Sequence, residues 1–98
     1  MSGKTTETGL GLWRKRMYNK TEEALDILQE ECAEVIQVVS KIKRFGMKSN
    51  QERLVQEIGD LYCMMQIIES LDIVKWEDVL VAAKNKEDKL KVWSKLYE

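Results

Sequence analysis

Hydrophobic residues recur along this chain with the period of a helix. In the first half the apolar positions follow one another at alternating steps of three and four: Leu25, Leu28, Cys32, Val35, Val39 and Ile42. This spacing places them on one face and predicts a helix over about 21–45. Thr21 followed by Glu22 and Glu23 favours a helix start at this point, and Gly46 after a basic last turn favours its end.

A second helical pattern follows after a short connection. Its apolar stripe predicts a helix over about 50–70, with Ser49 or Asn50 as the residue that caps its start: Leu54, Ile58, Leu61, Met65 and Ile68. Beside it lies a second stripe of Met64, Ile67 and Leu71. Because only a short connection joins these two helices, we expect them to pack antiparallel as a helical hairpin.

A third helix is predicted from Trp76 towards the end of the chain, after a connection over Ser70–Lys75. Its apolar positions include Trp76 and Trp93, which we interpret as core residues. With no proline and only five glycines, the sequence lacks the frequent turns of an all-β fold. We therefore predict an all-α fold: an antiparallel hairpin plus a C-terminal helix, in one domain over 1–98, with 1–11 as a flexible arm.

The apolar surface of the second helix is too wide for one short chain to cover. Residues 61–68 are apolar nearly all round, and a helix of that kind must be buried on every side. We therefore expect a homodimer or homotetramer that assembles four-helix bundles, with Leu61, Met64, Met65 and Ile68 in its core.

Charge and residue usage narrow the function classes. The net charge is -1, without the basic excess of a nucleic-acid binder, so no nucleic-acid partner is expected. No uncharged stretch approaches the length of a membrane span, and the polar N-terminus lacks the apolar core of a signal peptide. Cys32 and Cys63 are interpreted as reduced core thiols of a cytoplasmic protein. The absence of histidine excludes Ser-His and Cys-His nucleophiles and His-zinc sites.

Candidate chemistry lies in two pairs of acidic residues, each three positions apart within an apolar row. These pairs are Glu31 with Glu34 and Glu57 with Asp60. An antiparallel hairpin can bring the two pairs face to face. Four converging carboxylates without histidine favour Mg²⁺ or Mn²⁺ over softer metals. Two other interpretations stay open: ion pairs with Lys or Arg across a subunit interface, and plain solvated faces.

The motif around these acids resembles that of the MazG-like nucleoside triphosphate pyrophosphohydrolases. The resemblance rests on the segments 28–37, 44–46 and 57–61, which read LQEECAEVIQ, RFG and EIGDL. That family is defined by a Glu-x-x-Glu helix followed by a Glu-x-x-Asp helix. The match covers about residues 17–72, and the ending KLKVWS at 89–94 is similar to short versions common in bacteriophages.

The resemblance implies an all-α, oligomeric enzyme in the cytoplasm, or in the host cytoplasm if a phage encodes it. It implies Mg²⁺-dependent cleavage of a (deoxy)nucleoside triphosphate between the α and β phosphates, giving monophosphate and pyrophosphate, with Mn²⁺ as a possible substitute. The implied metal ligands are Glu31, Glu34, Glu57 and Asp60, and Glu31 or Glu34 is the implied catalytic base. Glu30, the other member of the acidic doublet, belongs beside the site or on the surface. The alternative is a catalytically silent helical module that binds nucleotides or a partner protein.

Substrate contacts are expected from cations and aromatic residues. The predicted substrate-binding residues are Lys41, Arg44, Lys84, Asn85 and Trp13. Cations near a metal help to hold a triphosphate. For Arg44, pairing with the helix dipole is the competing interpretation. Trp13 and Tyr18 could stack on a base or serve as aromatic anchors under the bundle.

Overall fold

Three helices make up the described part of the chain, residues 19–98 of a computed structural model. Helix α1 spans Lys20–Phe45, α2 spans Gln51–Ser70 and α3 spans Trp76–Trp93. Within residues 19–98 there is no strand, and no helix is both long and apolar enough to cross a membrane. The predicted all-α class, with a helical hairpin followed by a C-terminal helix, is confirmed, and the first two helices have the predicted bounds to within one residue.

The start of α1 is fixed by Asn19, two residues before Thr21, where the sequence favours a helix start. The Asn19 side chain accepts a hydrogen bond from the backbone N–H of Glu22 at 2.8 Å. The Glu22 carboxylate in turn accepts one from the Asn19 backbone N–H at 3.3 Å. This reciprocal capping box satisfies two donors that would otherwise lack a partner. Thr21 therefore lies inside the first turn, one residue after the observed start of the helix at Lys20.

Two turns shape the ends of α2. Gly46 ends α1 with a φ of 99°, which favours glycine, and donates its N–H to Ile42 at 2.8 Å. Asn50 holds the N-cap position of α2, but its side chain donates to the Gly46 carbonyl at 3.1 Å instead of capping the helix. At the other end Asp72 adopts a φ of 61°, and Ile73 donates its N–H to Ile68 in a Schellman turn.

The contact between α1 and α2 is shifted by one residue from part of the predicted stripe of α1, whereas most of the predicted stripe of α2 is half-buried and Met64 of its second stripe is buried. The side chains that the contact buries are Ala24, Glu31, Val38, Glu57 and Met64. The three buried α1 residues, Ala24, Glu31 and Val38, immediately precede Leu25, Cys32 and Val39, all of which are exposed. Because one residue rotates a helix by about 100°, the hairpin turns a mixed face inward and leaves much of its apolar surface outside.

Several residues predicted to be core are exposed as a result. Cys32 and Cys63 are free thiols, but both are exposed, so their placement in the core was wrong. Trp93 is 69% exposed, because α3 leaves the hairpin after the turn at Asp72 and has no buried residue of its own. The radius of gyration is 16.9 Å, against about 12 Å for a compact domain of this length. The hairpin alone therefore forms the packed part of the described chain.

Candidate metal centre

Four carboxylates converge where α1 and α2 pack against each other. One carboxylate oxygen from each residue lies within 4.8 Å of the others in a group of Glu31, Glu34, Glu57 and Asp60, called here the carboxylate cluster. The spacing of three residues puts both acids of a helix on the same face, and the antiparallel hairpin brings the two faces together. The predicted convergence of the two acidic pairs is thus confirmed, while their role as metal ligands stays a prediction.

The carboxylate cluster runs from the interior of the hairpin to its surface. Glu31 and Glu57 are buried, with 3% and 6% of their surface exposed. Glu34 is half-buried and Asp60 is exposed. One side of the cluster is therefore closed by the two helices, and the other side is open to solvent, so a hydrated cation and its ligand can reach it.

The two buried carboxylates each have an oxygen without a hydrogen-bond partner. These atoms are Oε1 of Glu31 and Oε1 of Glu57. A buried polar atom that lacks a partner costs free energy, and a charged one costs more. Burial, followed by the charges of Glu34, Asp60 and Glu57, raises the pKa of Glu31. A divalent cation would supply the missing partner and offset this repulsion. Oxygen-only donors of this kind fit Mg²⁺ or Mn²⁺.

The sequence-based interpretation missed Arg53, a cation of the described residues that lies at the cluster. Its Nε donates a hydrogen bond to Oε2 of Glu57 at 2.8 Å. This bond raises the pKa of Arg53, with a smaller contribution from the charge of Glu34. The signal in the sequence is the spacing of four residues between Arg53 and Glu57, which places them on one helix face. This spacing alone did not mark Arg53 as a site residue, because the same spacing is typical of ordinary ion pairs on a helix surface.

The predicted substrate contacts are only partly placed. Lys41 and Arg44 are exposed near the end of α1, and the Arg44 guanidinium lies 5.0 Å from the ring centre of Phe45. Lys84 pairs with Glu87 and Asp88 of its own helix, at 3.7 and 3.3 Å.

The structure does not bring Lys84 and its exposed neighbour Asn85 to the carboxylate cluster of the same chain. The reason is that α3 makes at most marginal contact with the hairpin. Trp13 and Tyr18, together with the predicted flexible arm over 1–11, lie outside the described residues.

Comparison with known proteins leaves the geometry as the basis for a functional assignment. No family model, no curated protein and no solved structure matches this chain. The resemblance to the MazG-like family therefore stays a hypothesis drawn from the motif residues.

Proposed function

We propose that the protein is a Mg²⁺-dependent nucleoside triphosphate pyrophosphohydrolase, which cleaves a (deoxy)nucleoside triphosphate to monophosphate and pyrophosphate. The observation that carries this proposal is the carboxylate cluster, in which two buried oxygens lack a protein partner. The MazG-like spacing of the same four acids supports the choice of reaction. We place the enzyme in the cytoplasm, where its nucleotide substrates occur.

The four acids act in pairs in this proposal. Glu31 and Glu57 would hold the ion from the closed side, and Glu34 and Asp60 from the side that faces solvent. Bound Mg²⁺ would neutralise phosphate charge and lower the pKa of a coordinated water. Glu31 or Glu34 would accept the proton of the attacking water.

Assembly through the exposed apolar surface is part of the proposal. Ile58 and Tyr62 of α2 are about half exposed, at 47% and 52%, and Ile36 of α1 is more exposed still. Large apolar side chains in such density mark a surface that another protein covers. We propose that a second copy of the chain covers it, as a homodimer or homotetramer whose helices form a four-helix bundle. The half-buried Leu61, Met65 and Ile68 would complete their burial there.

One observation favours a catalytically silent module. Glu57 already has a cationic partner in Arg53, so part of the cluster is neutralised without a metal. In that case the acids would serve only as ion pairs in a nucleotide-binding or protein-binding surface.

A panel of ribo- and deoxynucleoside triphosphates, assayed for pyrophosphate release, separates the two functions. We expect at least one nucleotide to release pyrophosphate with Mg²⁺ or Mn²⁺, and none to do so with EDTA. Asp60→Asn should remove the activity and keep the helical circular dichroism. No release from any nucleotide, with the protein folded and Mg²⁺ present, would favour the silent module.

A further inference from the structure

Arg53 lies beside the carboxylate cluster, between solvent and a buried acid. Its side chain is 47% exposed, whereas that of its partner Glu57 is 8% exposed. It sits one turn before Glu57 on α2, and Asp60 lies one turn after Glu57. A side chain in this position reaches both the buried acid and any molecule that approaches the cluster from solvent.

The guanidinium keeps most of its hydrogen-bonding capacity for another ligand. The bond to Glu57 uses the Nε–H, one of five N–H donors. Within residues 19–98 the two terminal nitrogens make no hydrogen bond. Two terminal nitrogens in one plane match two oxygens of a phosphate, which is the reason that arginine is used for bidentate recognition of phosphates.

The ion pair compensates the buried charge of Glu57, but this structural role uses only the Nε–H of Arg53. A fixed positive charge beside a cation site also weakens binding of the cation, because like charges repel. Arg53 therefore weakens the binding of a metal ion alone. It strengthens the binding of a metal ion that carries an anion, because the anion binds to both positive charges.

The hairpin topology determines towards which end of the hairpin the cations near the cluster lie. Arg53 precedes Glu57, so it lies towards the turn that joins α1 and α2. Lys41, near the end of α1, lies on the same side of the cluster because the two helices run antiparallel. Lys41 and Arg53 thus both lie towards the turn end of the hairpin.

We propose that Arg53 is a phosphate-binding residue, whose guanidinium holds the phosphate chain of the metal-bound nucleotide while Glu57 positions it. This assignment rests on the proposed function and adds a substrate contact to it. It predicts effects of opposite sign on the two ligands. Removal of the positive charge should strengthen binding of the metal alone and weaken binding of the phosphate.

Isothermal titration calorimetry of the full chain measures both effects. The first titration uses Mn²⁺ alone, and the second uses pyrophosphate with saturating Mg²⁺. The variants are Arg53→Gln, Arg53→Lys and, as a matched control for net charge, Lys75→Gln in the exposed connection between α2 and α3. Circular dichroism checks that each variant keeps its helices.

For Arg53→Gln we expect Mn²⁺ affinity to rise above that of the wild type, by up to about tenfold. Pyrophosphate affinity should fall by about tenfold or more. Arg53→Lys should keep the wild-type Mn²⁺ affinity and recover part of the pyrophosphate affinity. Lysine keeps the positive charge but lacks the planar guanidinium that can donate two parallel hydrogen bonds to a phosphate. Lys75→Gln should change neither.

Two results would overturn the assignment. Pyrophosphate affinity within about twofold of the wild type in Arg53→Gln would show that Arg53 does not contact phosphate. A parallel fall in both affinities would show that Arg53 only keeps Glu57 in place. A wild-type protein that binds no Mn²⁺ would instead overturn the proposed function itself, so the two failures can be told apart.

Discussion

Replacement of Glu31 by glutamine should make the metal-free protein more stable, although Glu31 is among its most buried residues. The change keeps the size of the side chain and removes a negative charge from a cluster of four acids. The new amide can also donate hydrogen bonds to neighbouring carboxylates, which the glutamate cannot do when ionised. A buried residue normally loses stability when it is replaced, so an increase would show that the buried charge of Glu31 is unfavourable, through its loss of hydration and its repulsion by the neighbouring acids.

The magnitude follows from the separation of the carboxylates. Two unit charges 4.8 Å apart repel by about 0.9 kcal/mol in the dielectric of water. Glu31 faces three such acids, and the ion pair of Glu57 with Arg53, partial protonation and salt reduce the total to about 1–2 kcal/mol at low ionic strength. For a domain of this size that corresponds to a rise in Tm of roughly 10 °C.

Urea denaturation followed by circular dichroism, in EDTA and in MgCl2, tests this expectation. In EDTA Glu31→Gln should unfold at higher urea than the wild type. In MgCl2 the wild type should gain stability by ligand binding, whereas the variant should gain little. Glu23→Gln, at an exposed position in the first turn of α1, is the matched control and should change stability by less than about 0.5 kcal/mol.

The pH dependence has a defined sign. Because the pKa of Glu31 is raised in the folded protein, its contribution to stability is full below the unfolded pKa and is lost as the pH rises through the folded pKa. The metal-free wild type should therefore become more stable as the pH falls from about 7 to about 5, and Glu31→Gln should show less of this gain. Equal stability of wild type and variant in EDTA, at both pH values, would refute the repulsion on which this expectation rests.

Further changes test catalysis, assembly and the turns. Glu34→Gln or Asp60→Asn should lower kcat for pyrophosphate release on the order of 10²-fold or more and keep the helical circular dichroism; near wild-type turnover would exclude the proposed ligands. Met65→Asp should place an unpaired charge in the proposed interface and dissociate the oligomer in sedimentation velocity, with loss of activity; a fully active wild-type monomer would contradict the bundle. Gly46→Ala should lower the free energy of unfolding by about 1 kcal/mol or more, because the φ of 99° at this position is unfavourable for a residue with a side chain. Asp72→Gly should raise it by up to about 1 kcal/mol, because glycine adopts the φ of 61° at this position without that steric cost.

The periodicity of the sequence predicted the helices well, because each helix carries its own local signals. The end of α1 at Gly46 and the bounds of α2 depend on residues within a few positions of each boundary. The acidic pairs could be placed together for the same reason, since spacing within each helix and a short connection determine the hairpin. The cap at Asn19 was missed because Thr21, followed by two acids, is an equally good local pattern.

The inward face of α1 was only partly predictable from periodicity, since Leu28, Val35 and Ile42 of its stripe are half-buried and the other three stripe residues are exposed. The most apolar stripe of α1 contains Leu25 and Val39, but the hairpin buries Ala24 and Val38 instead. A helix with apolar residues on more than one side can present any of them to a neighbour, and packing with all partners decides among them. The exposure of Cys32 and Trp93 has the same origin, since the contacts that would bury them are not made within the described part of one chain.

The most direct test of the central claim is phosphorus NMR of the products of a nucleoside triphosphate that the wild type consumes in Mg²⁺. We predict signals of the nucleoside monophosphate and of pyrophosphate in equal amounts, with no nucleoside diphosphate. The signals should not develop in EDTA or with the Asp60→Asn variant. Nucleoside diphosphate with orthophosphate, or product formation that persists in the variant, would contradict cleavage at the α–β bond by the carboxylate cluster.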